Sequence, residues 1–263
     1  MNSKKQHNKV DSIVLLILPI VAWVLSLWFQ VNFFYATLLF IGLPALWLTL
    51  RSEASQIKKS ALFSLLFGIP LITLVDYIAT LDRAWFITET IFPARFLGMV
   101  PFDDYIWGFL FLYLVVLFYE HFIDVGKKKR ILGQRMRYFI IASSVALLLF
   151  IYLLLFQPAL LQIPYAYVLI GIFVLALPTI TLLYYHRALI PKFLKLIPYF
   201  VYLTVFHELT ALHLHQWEFP GDHIVGWVQV GQYTLPLEEF IFFFFFGAIG
   251  IATYFEFFDD DRK

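Results

Sequence analysis

Six carboxylates in this chain fall into two matched sets. Asp103 and Asp104 follow Pro101-Phe102, and Glu238 and Glu239 follow Pro236-Leu237. Each pair opens a long apolar run. A further acid, Asp76 or Glu208, precedes each pair, with a tryptophan nine residues after it, Trp85 or Trp217. A single acid at a helix start would complement the positive end of the helix dipole. Proline fits the first turn, where its missing N–H would be unpaired anyway. Two adjacent acids in both sets, each with a third acid behind it, exceed what capping requires and point to a functional role. Aromatic residues make up 20% of the chain, and Phe242 to Phe246 run unbroken beside Glu239. Aromatic faces attract cations without offering a nucleophile. Aromatics beside buried carboxyls are what carbocation chemistry needs.

The segments that hold these acids read as helices. Thr204, His207, Glu208, Ala211 and His215 fall on one face at helical spacing, as do Thr73, Asp76, Tyr77 and Thr80. Both stripes are expected to face inward, away from lipid. His213 and His215 stand two apart and point to different sides, so no metal site is expected. Glu120, His121, Asp124 and Glu256 fall at run ends, where reaching water is cheap, and read as structural.

A membrane is the only setting that suits the composition. Of 263 residues, 62% are hydrophobic and 14% charged, against roughly 45–50% and about 25% in soluble domains. Mean hydropathy is +0.82. A soluble fold of this size cannot hide so much apolar side chain, and disorder needs the opposite composition. The apolar runs are continuous rather than alternating, which argues against a membrane barrel. With no cysteine, disulfides, thiolate metal sites and cysteine nucleophiles are excluded.

About 20 apolar residues cross the hydrocarbon core, and eight runs are expected to do so: 12–29, 33–50, 60–81, 102–122, 137–157, 164–186, 194–214 and 236–257. With the N-terminus cytoplasmic, all of the 19 Lys and Arg except Arg83 and Arg95 lie in cytoplasmic segments, as the positive-inside rule asks. The cluster Lys127, Lys128, Lys129, Arg130, Arg135 and Arg137 then reads as an anchor against anionic lipid rather than a nucleic-acid site.

The chain also repeats itself. Pro44 and Pro178, Asp76 and Glu208, and Pro101 and Pro236 recur with a period of about 134 residues. The expected fold class is an all-α polytopic membrane protein, with about eight transmembrane helices arranged as two parallel four-helix repeats. Residues 1–126 form the first repeat, 127–136 a basic cytoplasmic linker and 137–263 the second repeat. An even number of spans per half relates the halves by a pseudo-two-fold axis along the membrane normal.

Trp217-Glu-Phe-Pro220, Gly226 and Pro236-Leu-Glu-Glu239 followed by Phe240 resemble the integral-membrane lycopene cyclases. These are carotenoid cyclases found as two small subunits or as one fused chain. The family pattern is an acid, a Trp, a Gly, then Pro-x-Glu-Glu or Pro-x-Glu-Asp in each half. The second half matches it, whereas Pro101-Phe-Asp103-Asp104 shortens both acids and Trp85-Phe-Ile alters the surroundings of the first Trp. The resemblance implies acid–base cyclisation of the ψ end groups of lycopene, or a related acyclic carotenoid, to ionone rings, a net isomerisation. A proton adds at C2, the C5–C6 double bond attacks the cation at C1, and a proton is lost. Neighbouring carboxyls suit this, because burial and a like-charged neighbour both favour the protonated form of a carboxyl.

On this reading Glu238 and Glu239 are the donor and its partner. Asp103, Asp104, Asp76 and Glu208 support them or supply the base. Trp217, Trp85, Phe242, Phe243, Tyr77 and His207 contact the substrate. No cofactor or metal is implied, and no Gly-x-Gly-x-x-Gly follows a strand. The partners are the apolar C40 substrate in the bilayer, lipid and neighbouring enzymes of the same pathway, with no nucleic acid. The location is the plasma membrane with both termini cytoplasmic. A proton-coupled transporter is the alternative that buried acids and a parallel repeat also fit.

Overall fold

The structure, a computed structural model, describes residues 2–124 and 136–259. The basic residues Lys127 to Arg135, and with them most of the expected linker, lie outside the described residues. In a bilayer core every backbone polar group must be satisfied within the chain, and helices do this segment by segment. All eight apolar runs are helical. We label them α1 (Asn2–Phe29), α2 (Phe33–Arg51), α3 (Ala54–Leu81), α4 (Phe102–Ile123), α5 (Met136–Phe156), α6 (Ala166–Tyr185), α7 (Ile197–His213) and α8 (Glu239–Phe257).

Among the described residues, six of these are long and apolar enough to cross a membrane. α7 joins them when the short helix Arg187–Leu194, bent from it by 44°, is counted as part of the same span. Pro191 and Pro198 flank that break, and neither can continue a helical hydrogen-bond ladder. α5 contributes a shorter apolar stretch, Ile140–Phe156.

Among the described residues five helices carry π-helical turns that the hydropathy pattern does not show, at Tyr119–Ile123 in α4, at Glu239–Phe246 in α8, and at three places that share a local cause: Leu38–Gly42 in α2, Ser64–Gly68 in α3 and Gly171–Ala176 in α6. Each of these last three ends two residues before a proline: Pro44, Pro70 or Pro178. A proline in a helix has no N–H for the carbonyl four residues back, and its ring crowds that carbonyl. In all three cases that carbonyl lies inside the widened turn, which relieves the crowding. The Val174 carbonyl, four residues before Pro178, accepts the Tyr254 hydroxyl at 2.7 Å.

The fourth helix of each half is central. Of the spanning windows of α4 and α8, 61% is buried, against 22% for α1. Residues 111–120 of α4 are buried without a break. α5 is peripheral and keeps little but Phe150 covered, against Tyr77.

Among the described residues three short two-stranded ladders tie the α3–α4 and α7–α8 loops: β1 (Phe86–Ile87) with β4 (Trp217–Glu218), β2 (Arg95–Phe96) with β3 (Val100–Pro101), and β5 (Trp227–Val230) with β6 (Tyr233–Pro236). The first ladder crosses between the halves with Phe86 opposite Glu218. These two residues occupy the same place in the repeat, ten positions after Asp76 and Glu208. A residue that pairs antiparallel with its own counterpart lies on a two-fold axis. Side chains add further ties across the halves. Asp82, at the end of α3, accepts the Ala166 N–H that opens α6 at 2.8 Å, and Gln216 Nε2 donates to the Val31 carbonyl before α2 at 2.7 Å.

At the other end of the bundle the acids are not in water, contrary to the expectation above. Glu120, Asp124 and Glu256 are buried and ion-paired: Lys59 to Glu120 at 3.4 Å, and Lys192 to Asp124 at 2.6 Å and to Glu256 at 3.6 Å. Asp11 binds Arg51 at 3.0 Å and His121 at 3.1 Å. The cations come from elements far off in sequence, so span-end position alone could not reveal the pairing. The role these acids play is structural, since removing one partner of such a pair strands a buried charge.

Candidate active site

α3, α4, α7 and α8 each bring one carboxyl to a single cavity of 210 Å³ between the halves. The four are Asp76, Asp104, Glu208 and Glu239, all buried. The rest of the lining is aromatic and aliphatic, including Phe33, Trp85, Trp107, Phe111, Tyr167, Trp217, Phe242 and Phe243, and it contains no Lys or Arg. Acids without cations, in an apolar wall, suit a ligand that is itself apolar and becomes positive during reaction.

Each tryptophan holds the acid nine residues before it. Trp217 Nε1 donates to Glu208 Oε1 at 2.8 Å, and Trp85 hydrogen-bonds the Asp76 carboxyl. Beyond this the halves differ. Asp76 and Asp104 are hydrogen-bonded to each other. Glu208 and Glu239 share no such bond; the Tyr167 hydroxyl donates to Oε2 of Glu239 instead.

The other member of each acid pair does a different job. Asp103 Oδ2 accepts the Ile91 N–H at 2.8 Å, and Glu238 Oε1 accepts the Val225 N–H at 2.7 Å. Neither lines the cavity. These two equivalent acids pin the α3–α4 and α7–α8 loops to the helix starts. Arg95 reinforces the first loop by donating to the Met99 carbonyl at 3.1 Å and the Ile87 carbonyl at 2.7 Å.

Of the aromatic residues expected at the site, Trp85, Trp217, Phe242 and Phe243 line the cavity. His207 sits behind Trp217, with ring centroids 5.2 Å apart, and is backed in turn by Phe40 at 5.1 Å. Tyr77 faces Phe150 of α5, away from the lining. Of the α7 stripe, Thr204, His207, Glu208 and Ala211 are buried, but the helix stops at His213. His215 lies beyond it, exposed, in a left-handed turn at φ 53°. His213 Nδ1 pairs with the Tyr233 hydroxyl at 2.7 Å.

Sequence reasoning missed Tyr167, Phe33, Trp107 and Phe111. A signal for the first two existed. The offset between Pro44 and Pro178 places Tyr167 opposite Phe33 in the repeat, and both line the cavity.

The fold and the site together define a polytopic helical membrane protein whose two repeats surround one acid-lined, aromatic cavity. The lycopene cyclase family model matches the chain twice, over residues 26–122 and 164–258. The chain belongs to the lycopene cyclase family, as a fused protein carrying both halves. Membership makes it a membrane-embedded enzyme of the cyclase type, in carotenoid biosynthesis, and leaves the transporter alternative without support. No curated protein and no solved structure matches the chain.

Proposed function

We propose that this protein cyclises the ψ end groups of lycopene or a related acyclic carotenoid to ionone rings, as an intramolecular lyase or isomerase with no cofactor. The observation that carries this reading is the convergence of four carboxyls and two tryptophans from both halves on one apolar cavity without basic side chains. Glu239 is the proton donor. Its proton adds to C2 of the end group, and the C1=C2 electron pair becomes the new C2–H bond. The C5=C6 pair then closes onto the C1 cation, and loss of a proton sets the ring alkene. The self-paired Asp76 and Asp104 hold negative charge opposite the cation. Trp85 and Trp217 line its path, and Glu208, freed from a carboxyl partner, receives the departing proton. The substrate arrives from the bilayer of the plasma membrane, and both termini are cytoplasmic.

Expression in cells that make lycopene tests the reaction. Chromatography of the extracted pigment is expected to show cyclic carotenoid with the parent protein. Unchanged lycopene from a folded, membrane-inserted parent would sink the proposal. Reporter fusions after residues 126 and 263 test the orientation, and both are expected to report the cytoplasm.

A further inference from the structure

Position 167 is where the two halves of the cavity stop being alike. Phe33 and its repeat counterpart Tyr167 are both buried and both line the cavity. Each ring lies edge-on to the tryptophan of the other half. Phe33 meets Trp217 with ring centroids 5.6 Å apart, and Tyr167 meets Trp85 at 4.9 Å. Packing therefore requires an aromatic ring at each place, and phenylalanine meets that need. The hydroxyl of Tyr167 is additional to it. A buried tyrosine O–H needs a partner, and this one is spent on Oε2 of Glu239. Phe33 has nothing to give Asp104, whose carboxyl is bonded to Asp76.

We propose that Tyr167 is the positioning residue of the proton donor, its hydroxyl fixing the Glu239 carboxyl through Oε2 and stabilising the charge that donation leaves there. The inference rests on the cyclase reading given above. In that step the O–H bond of Glu239 breaks and a C2–H bond forms. The end group becomes a cation at C1, and Glu239 becomes a carboxylate. The Tyr167 hydroxyl is already aimed at the atom where negative charge develops, which is how preorganised donors accelerate reactions. The first half has no such donor. The second half is thereby the proton-donating half, and the Asp pair is its counter-charge.

The experiment is a double-mutant cycle in the full chain, with turnover measured in lipid vesicles carrying the acyclic carotenoid. Removing one donor to a developing charge costs about 10²–10³ in kcat where the donor matters fully. Tyr167→Phe is expected to lower kcat by about tenfold to a hundredfold with little change in KM, because the ring that shapes the cavity stays. In a Glu239→Gln background the same substitution is expected to cost nothing further, since both act through one carboxyl. Infrared spectra add a readout that does not depend on turnover. The carboxyl band that Glu239→Gln deletes is expected to shift in Tyr167→Phe. If the Phe variant does not fold, 3-fluorotyrosine at position 167, which keeps ring and hydroxyl, is expected to shift that same band.

Independent losses in the cycle, a loss confined to KM, or an unmoved band would each overturn the role of Tyr167. Full turnover in Glu239→Gln itself would instead overturn the assignment of Glu239 as donor. The two failures are thus separable.

Discussion

Adjacent side chains on a helix point about 100° apart, so one member of each acid pair faces the cavity while the other faces the loop. Helix rotation makes that choice, and it makes it the same way twice. Glu239 and Asp104 turn in, while Glu238 and Asp103 turn to the Val225 and Ile91 amides. The two acids of a pair are therefore expected to fail differently. Glu239→Gln removes the proton source and should lower turnover by about 10²-fold or more, with the fold intact. Glu238→Gln weakens a charge-assisted bond to a loop amide and should cost about 1 kcal/mol of stability, with product per folded molecule close to that of the parent. Thermal unfolding in detergent, alongside pigment formed per folded molecule, separates the two. Equal activity losses in both variants would mean that Glu238 also takes part in the reaction.

At the scale of elements, α6 and α8 cross closely beside the cavity because Gly171 has no side chain. A Cβ at that position would overlap the ring of Phe242, which itself lines the cavity. Gly171→Ala must push Phe242 aside, and overpacking of this kind costs typically about 1–3 kcal/mol. The ring has open cavity on one side, so the expected result is a lowered melting temperature together with a raised KM. A variant with unchanged melting temperature and KM would show that the crossing relaxes without touching the site. The helices on which this crossing depends were legible in the sequence from hydropathy, whereas the central place of α4 and α8 shows only in the packed bundle. The π-turns were not legible either, although Pro44, Pro70 and Pro178 mark three of the five, because a run of apolar residues looks the same at either helical pitch. The buried pairs Lys59–Glu120 and Lys192–Asp124 were also hidden. Each joins residues some sixty or more positions apart, and only the packed bundle shows that the acids have lost their water. Tyr77 and His207 were placed on the right inward faces, but an inward face has depth: one packs toward α5 and the other stands behind Trp217.

For the whole molecule, the two repeats build one site between them. Phe86 opposite Glu218 sets the axis, each tryptophan packs on an aromatic residue of the other half, and all four inward carboxyls face the same 210 Å³ cavity. Two repeats with two independent sites would have kept each acid set with its own aromatics. A shared cavity has a kinetic consequence under the proposed function. A substrate with a ψ group at each end can present only one of them at a time, and the other end stays outside until the first product leaves and the molecule returns reversed. A time course in vesicles with limiting enzyme and excess acyclic carotenoid is therefore expected to show the monocyclic species rising first. Any bicyclic product should follow only as the monocyclic pool grows. Adding unlabelled monocyclic carotenoid midway through a reaction with labelled substrate should dilute the label in the bicyclic product, because the intermediate exchanges with the membrane. Bicyclic product that forms from the first turnovers, with its label undiluted, would mean that both ends are held at once. The single shared cavity would then be the wrong account of how the halves cooperate.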